Sequence, residues 1–165
     1  MALHEPLLKE FKAEGMLTRK MLERVPFDIT DWTPHEKSMT IQRLSSHIAE
    51  LPIWMTRILH AEEFDFLGQR TERFFARDSA ELLQKFEEMH ADASRALQSA
   101  SDEQLNFMWT LRRGEQIFFT RSRMIMIRNF VFSHIIHHRG QLSVYLRLNN
   151  IPVPGMYGPS ADETL

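Results

Sequence analysis

Three histidines fall within five residues near the C-terminal end of this chain. The run is His134-Ile135-Ile136-His137-His138, followed by Arg139-Gly140-Gln141-Leu142. Imidazole is the commonest metal-ligating side chain and the one whose charge changes near neutral pH. The flanking residues Phe130, Val131, Phe132, Leu142 and Tyr145 are apolar, which reads as a helix. On a helix, His134 and His138 are neighbours on one face, about 5–6 Å apart at Cβ. That spacing suits two nitrogens converging on one cation. The competing reading is a set of core histidines, each bonded to a carbonyl or hydroxyl.

Other chemistries fit less well. The chain has no cysteine, which excludes a disulfide framework, a thiolate metal site and a cysteine nucleophile. The histidine run lacks the glutamate that follows the first histidine of a zincin motif. A di-iron carboxylate bundle needs Glu-x-x-His twice, with further glutamates. Glu87-Glu88-Met89-His90 supplies one such match, but no Asp or Glu lies between 121 and 150. There is no Gly-rich phosphate loop and no serine or lysine nucleophile motif.

Apolar spacing places the elements. Residues 3–24 read as a first helix, with Leu3, Leu7, Phe11, Leu17 and Met21 along it and Gly15 weakening its middle. Residues 26–39 form a long connection containing Trp32 and a solvent-exposed His35. Ser38 or Thr40 caps a second helix running to about Leu67-Gly68, kinked at Pro52. A third helix spans 79–98, capped by Asp78 or Ser79, and 99–104 is a break. Around Arg112-Arg113-Gly114-Glu115 there is room for a short hairpin, Phe107–Leu111 against Gln116–Thr120. The last helix spans 121–149, ahead of Pro152, and an apolar tail docks behind it. The expectation is an all-α fold, a four-helix bundle of one domain over 1–165, with long connections and that short hairpin.

Helical phase then sorts the histidines. At about 100° per residue, Ile127, Phe130, Val131, Tyr145 and Leu148 share the side of His134. His138 and Gln141 join that stripe, His137 falls at its edge, and Arg139 and Arg147 point away. On the second helix, His47 lies among Leu44, Leu51, Trp54 and Ile58, and His60 faces the other way. His47, His134 and His138 are therefore the candidate metal ligands. Three nitrogens with open positions is a catalytic type of arrangement, because structural sites close with four protein ligands. Glu50 and Gln141, each one turn from a candidate ligand, could orient water or substrate there. Gly140 would permit close helix approach beside the site.

Composition sets the remaining limits. The chain is 43% hydrophobic and 25% charged, with a net charge of −2, so it is globular and unbiased towards a polyanion. Between Arg112 and Arg147 there are seven arginines against one acid, Glu115. A solvated basic face is the favoured reading, with a surface for an anionic small molecule as the alternative. No nucleic-acid-binding signature accompanies the arginines. No signal peptide or membrane span is visible, and a cytoplasmic protein is expected.

The run Leu44-Ser45-Ser46-His47-Ile48-Ala49-Glu50 with Trp54, the run His134 to Leu142, and the tail Pro154-Gly155-Met156-Tyr157-Gly158-Pro159-Ser160-Ala161-Asp162-Glu163 together resemble the DinB (damage-inducible, YfiT-like) superfamily. The resemblance covers nearly the whole chain. It implies a four-helix bundle holding a divalent metal, zinc or nickel, on His47, His134 and His138. It also implies a homodimer and a transferase or isomerase using a low-molecular-weight thiol. Metal-dependent hydrolysis, or a metal-binding stress protein without turnover, are the alternatives.

Overall fold

The computed structural model describes residues 2–69 and 72–163. Helix α1 spans His4–Leu22. After a long connection, Thr40 Oγ1 accepts from Arg43 N and caps α2, Ile41–Glu50. Pro52 cannot continue the backbone ladder, and the chain restarts as α3, Ile53–His60. Helix α4, Ser79–Gln98, is capped by the Asp78 carboxylate and has the boundaries its sequence predicts. A short α5, Asp102–Asn106, precedes the strands β2, Met108–Arg113, and β3, Gln116–Ser122. The last helical run consists of α6, Arg123–Ile127, a π-helical turn, Arg128–Ser133, and α7, His134–Leu148. It stops where Asn150 takes a left-handed φ of 57°, which satisfies a C-terminal cap.

The all-α expectation is corrected by a three-stranded mixed sheet. The anticipated hairpin is its antiparallel half, with Gly114 at a φ of 58° in the turn. The other half is β1, Glu63–Asp65, which pairs parallel to β2. The second helix therefore ends at His60 and does not run to Leu67. Three anchors hold β1. Phe64 is buried in the core, Arg112 forms ion pairs with Glu63 and Asp65, and Asp65 Oδ1 accepts from Gly114 N at 3.0 Å and Leu67 N at 2.9 Å.

Helix α4 packs on α1, α2 and α3, while α7 packs on α1 and α2. The buried side chains form two apolar groups. One contains Leu7, Phe11, Met55, Trp109, Val131 and Ile135. The other contains Met21, Leu22, Leu44, Ile48, Leu142 and Leu146. On α1 the groups are separated by Glu14, Gly15 and Thr18, and on α7 by Arg139. Arg139 is 2% exposed. It donates to the Glu14 carboxylate at 2.6 Å, the Glu14 carbonyl at 3.1 Å and Thr18 Oγ1 at 3.0 Å. A polar layer thus crosses the bundle between two apolar ones.

Arg139 was expected to point away from the core, and Leu148 to be buried. The reverse holds, since Leu148 is 57% exposed. The π-turn is the cause. It places about one extra residue in a turn, which rotates everything beyond it by about 100° relative to a continuous α-helix. The buried residues of α7 are Ile135, Arg139, Leu142, Tyr145 and Leu146, so Tyr145 is buried as expected, and the histidines lie along the edge of that face.

Four other arginines of the basic segment are also engaged. Arg112 pairs with Glu63, Arg128 with Glu10 and Arg147 with Asp162. Arg123, 7% exposed, donates to the Ala61 carbonyl at 3.0 Å. The tail is fastened down as anticipated. Asp162 also accepts from Val153 N, and Tyr157 donates to Glu14 at 2.8 Å.

Candidate metal centre

His47 from α2 and the i,i+4 pair His134 and His138 from α7 come together at the α2–α7 edge. One ring nitrogen from each lies within 4.8 Å of the others. The ring centroids of His47 are 5.3 Å from His134 and 4.7 Å from His138. All three are partly buried. His137 is exposed, with its ring centroid 4.9 Å from His138, and stays outside the cluster. His35 and His60 are exposed, as their positions in the sequence suggest.

Burial, followed by mutual repulsion, keeps these rings neutral. Burial pushes His47 down to about 3, with the charges of His138, His134, Arg43 and Arg73 adding to the effect. Burial and His138 hold His134 at about 4. His138 is lowered as well, again chiefly by burial. Neutral imidazole is the form that ligates a metal.

Two of the rings are oriented through a second contact. His138 Nδ1 lies 2.7 Å from Gln141 Oε1. An amide oxygen only accepts, so Nδ1 carries the proton and Nε2 is left to ligate. His134 donates to the backbone carbonyl of Phe130, inside the π-turn. Such partners fix tautomer and ring direction at metal sites. His47 differs, because Arg43 Nη2 approaches its Nδ1 at 3.4 Å, and a guanidinium can only donate.

The donor set fits a divalent cation. A tetrahedral zinc with nitrogens at 2.0–2.1 Å places those nitrogens about 3.3 Å apart. The cluster must contract by no more than about 1.5 Å, within reach of side-chain rotation. Nitrogen-only donors suit zinc, nickel, iron and copper.

Glu50 and Gln141 both have protein partners in the structure. The Glu50 carboxylate is taken up by Arg43 at 3.0 Å and by Phe74 N at 2.8 Å. Gln141 holds His138. Gly140 is exposed, and a Cβ there would meet nothing within 4 Å, so no close helix approach depends on it. His90, the end of the single Glu-x-x-His match, stacks on Phe11 with centroids 4.4 Å apart and bonds the Phe11 carbonyl at 3.2 Å.

Sequence reasoning missed the cavity beside the cluster. His47 also lines a pocket of about 720 Å³ between α2, α3, α4 and the chain before α4. Trp54, Arg57, Arg73, Phe74 and Lys85 are among its walls. These residues come from several elements and share no period, so no sequence pattern announces the pocket.

A mostly helical chain with a hairpin before its last helix and three histidines at one helix–helix edge now has a family. The DinB family profile matches residues 1–164, and the chain belongs to that family. It is 34% identical over 76 residues to the uncharacterized protein YrdA of Bacillus subtilis strain 168, a match spanning 44% of this chain and 46% of YrdA. The crystal structure of a DinB-like protein from Bacillus cereus ATCC 10987 superposes with a TM-score of 0.71 at 21% identity, covering 91% of this chain and 95% of that one. The DinB-like protein YjoA of Bacillus subtilis gives 0.68 at 18% identity, covering 90% and 96%. These structural likenesses concern the fold.

Proposed function

We propose that this protein is a metal-dependent enzyme that activates a low-molecular-weight thiol for transfer to an electrophile. The observation that carries this reading is the position of His47. It belongs both to a cluster of three neutral imidazoles and to the wall of a 720 Å³ pocket. A ligand in that pocket is therefore beside the cluster. A divalent metal, zinc or nickel, held by His47, His134 and His138 would supply a Lewis acid that lowers the pKa of a thiol. The chain has no cysteine of its own, so the sulfur nucleophile comes from outside. Gln141 and the Phe130 carbonyl orient two of the rings, and burial keeps all three unprotonated at neutral pH.

Hydrolysis through an activated water is the second reading. It would use Glu50 or Gln141 to position the water, and both are already engaged, Glu50 with Arg43 and Phe74 N and Gln141 with His138. The thiol reading includes a homodimer, which sedimentation equilibrium tests.

The test has two parts. Elemental analysis of protein purified with added zinc or nickel should show about one metal per chain, lost in His47→Ala. Metal-loaded protein titrated with small thiols and monochlorobimane should then turn over. Absence of bound metal in the parent protein removes the whole reading. Metal without turnover on any thiol leaves the metal-binding protein and removes the transferase.

A further inference from the structure

The pocket beside His47 has an unusual wall. Four cations line it, Arg43, Arg57, Arg73 and Lys85, against two carboxylates, Glu50 and Glu72. Three of these cations lie over aromatic rings. Arg57 is 4.9 Å from the ring centre of Trp54, Arg43 5.5 Å from that of Phe75, and Lys85 5.7 Å from that of Phe74. All three rings belong to the same lining. The ring quadrupole holds each cation in place without neutralising its charge. Trp54, Phe66, Phe74 and Phe75 give the same wall an aromatic component.

Glu50 neutralises Arg43. Arg73 and Lys85 have no carboxylate partner among the described residues. Arg73 lines the same pocket as His47, and its charge adds to the lowering of the His47 pKa. We propose that this pocket binds a small planar acid, an apolar ring body carrying a carboxylate or a similar anion. The anion sits with Arg73 and Lys85, and the ring body lies along Trp54, Phe66 and Phe74. As a statement about substrate it rests on the metal-dependent reading above. As a statement about binding it does not, because the recognising groups are the pocket's own. The seven arginines of 112–147 take no part, and none of them lines this pocket.

The probes are naphthalene-2-carboxylate and its uncharged isostere naphthalene-2-carboxamide, titrated calorimetrically into metal-free protein. The carboxylate should bind roughly tenfold tighter at low ionic strength, equivalent to about 1.4 kcal/mol. Added salt should shrink that ratio. The double variant Arg73→Gln/Lys85→Gln should reduce it to less than about threefold and leave carboxamide binding unchanged, which also reports an intact pocket. Equal affinity for the two probes overturns the proposal, as does a ratio that survives the double variant. His134→Ala separates the two readings. The carboxylate preference should persist there, and its disappearance would assign the anion to the histidine cluster and refute the pocket. A protein that never binds metal can still pass every arm of this test.

Discussion

Replacing Gly15 by alanine should destabilise this protein, although the same change in an ordinary helix interior stabilises by up to about 1 kcal/mol. Gly15 lies in the middle of α1 and is buried. A Cβ there would come within 2.1 Å of His90 Nε2, with Cε1 at 2.7 Å and Cδ2 at 2.8 Å. No contact that short survives, so the ring must leave. Leaving breaks its bond to the Phe11 carbonyl and its stacking on Phe11. The hydrogen bond is worth about 1 kcal/mol and the stacking about 0.5–1.5 kcal/mol. Re-housing the ring in a packed layer costs about 1–3 kcal/mol more. Against a gain of about 1 kcal/mol, the net loss is about 1.5–4.5 kcal/mol. For a chain of this size that lowers Tm by about 3–18 °C. The assay is thermal and urea denaturation of metal-free protein for Gly15→Ala, His90→Ala and the double variant. With His90 removed, the clash disappears, and Gly15→Ala should turn stabilising by about 0.5–1 kcal/mol. A higher Tm for Gly15→Ala in the parent background would refute the reasoning outright.

Three other outcomes follow from the same geometry. Gln141→Leu removes the acceptor that fixes the His138 tautomer, and metal affinity should fall about 10- to 100-fold in a chelator competition; unchanged affinity would show that Gln141 does not set the ring. The depressed values of His47 and His134, about 3 and about 4, mean that the unfolded chain takes up protons first, from about pH 6.5 downwards. Metal-free stability should therefore be level above pH 6.5 and fall below it, and the urea midpoint of a His47→Gln/His134→Gln variant should fall less steeply between pH 7 and 5. Arg139→Met leaves the Glu14 carboxylate in the polar layer with Tyr157 as its one side-chain partner among the described residues, and denaturation should show a loss of about 2–4 kcal/mol, with a loss under about 1 kcal/mol speaking against a structural ion pair.

Local signals were legible in the sequence, and non-local ones were not. Helix α4 is written in its own residues, with an Asp78 cap and apolar positions at Leu82, Phe86, Ala93 and Leu97. The break at Pro52 and the turn at Gly114 are also single-residue effects. Strand β1 is different. Glu63-Phe64-Asp65 is a strand only because β2 lies beside it, some 47 positions later, and three residues carry no period. The π-turn was invisible for a related reason. Nothing in Arg128–Ser133 distinguishes it from α-helix, yet it shifted the phase of every residue after it and placed Arg139 inside. The three-histidine cluster survived this error because His134 and His138 both follow the π-turn. Their relation to each other is local, whatever the helix does upstream.

The edge position of the histidines has chemical consequences that a core position would not. Deep in an apolar core three imidazoles would be costly without a partner for every nitrogen, and no ligand could reach them. Fully in solvent they would sit near 6.5 and contend with protons for a metal. Here the polar layer supplies the compromise. Arg139 turns inwards to Glu14 and Thr18, and its neighbour His138 turns outwards to Gln141 and His47. One side of α7 closes the bundle and the other presents nitrogen donors half-buried at its rim. The rotation that brings Arg139 inside is the rotation that carries His134 and His138 out of the core. Restoring an α-helical turn, by deleting one residue between Arg128 and Ser133, would reverse that division. It would drive the histidines into the core, expose Arg139 and separate both functions at once.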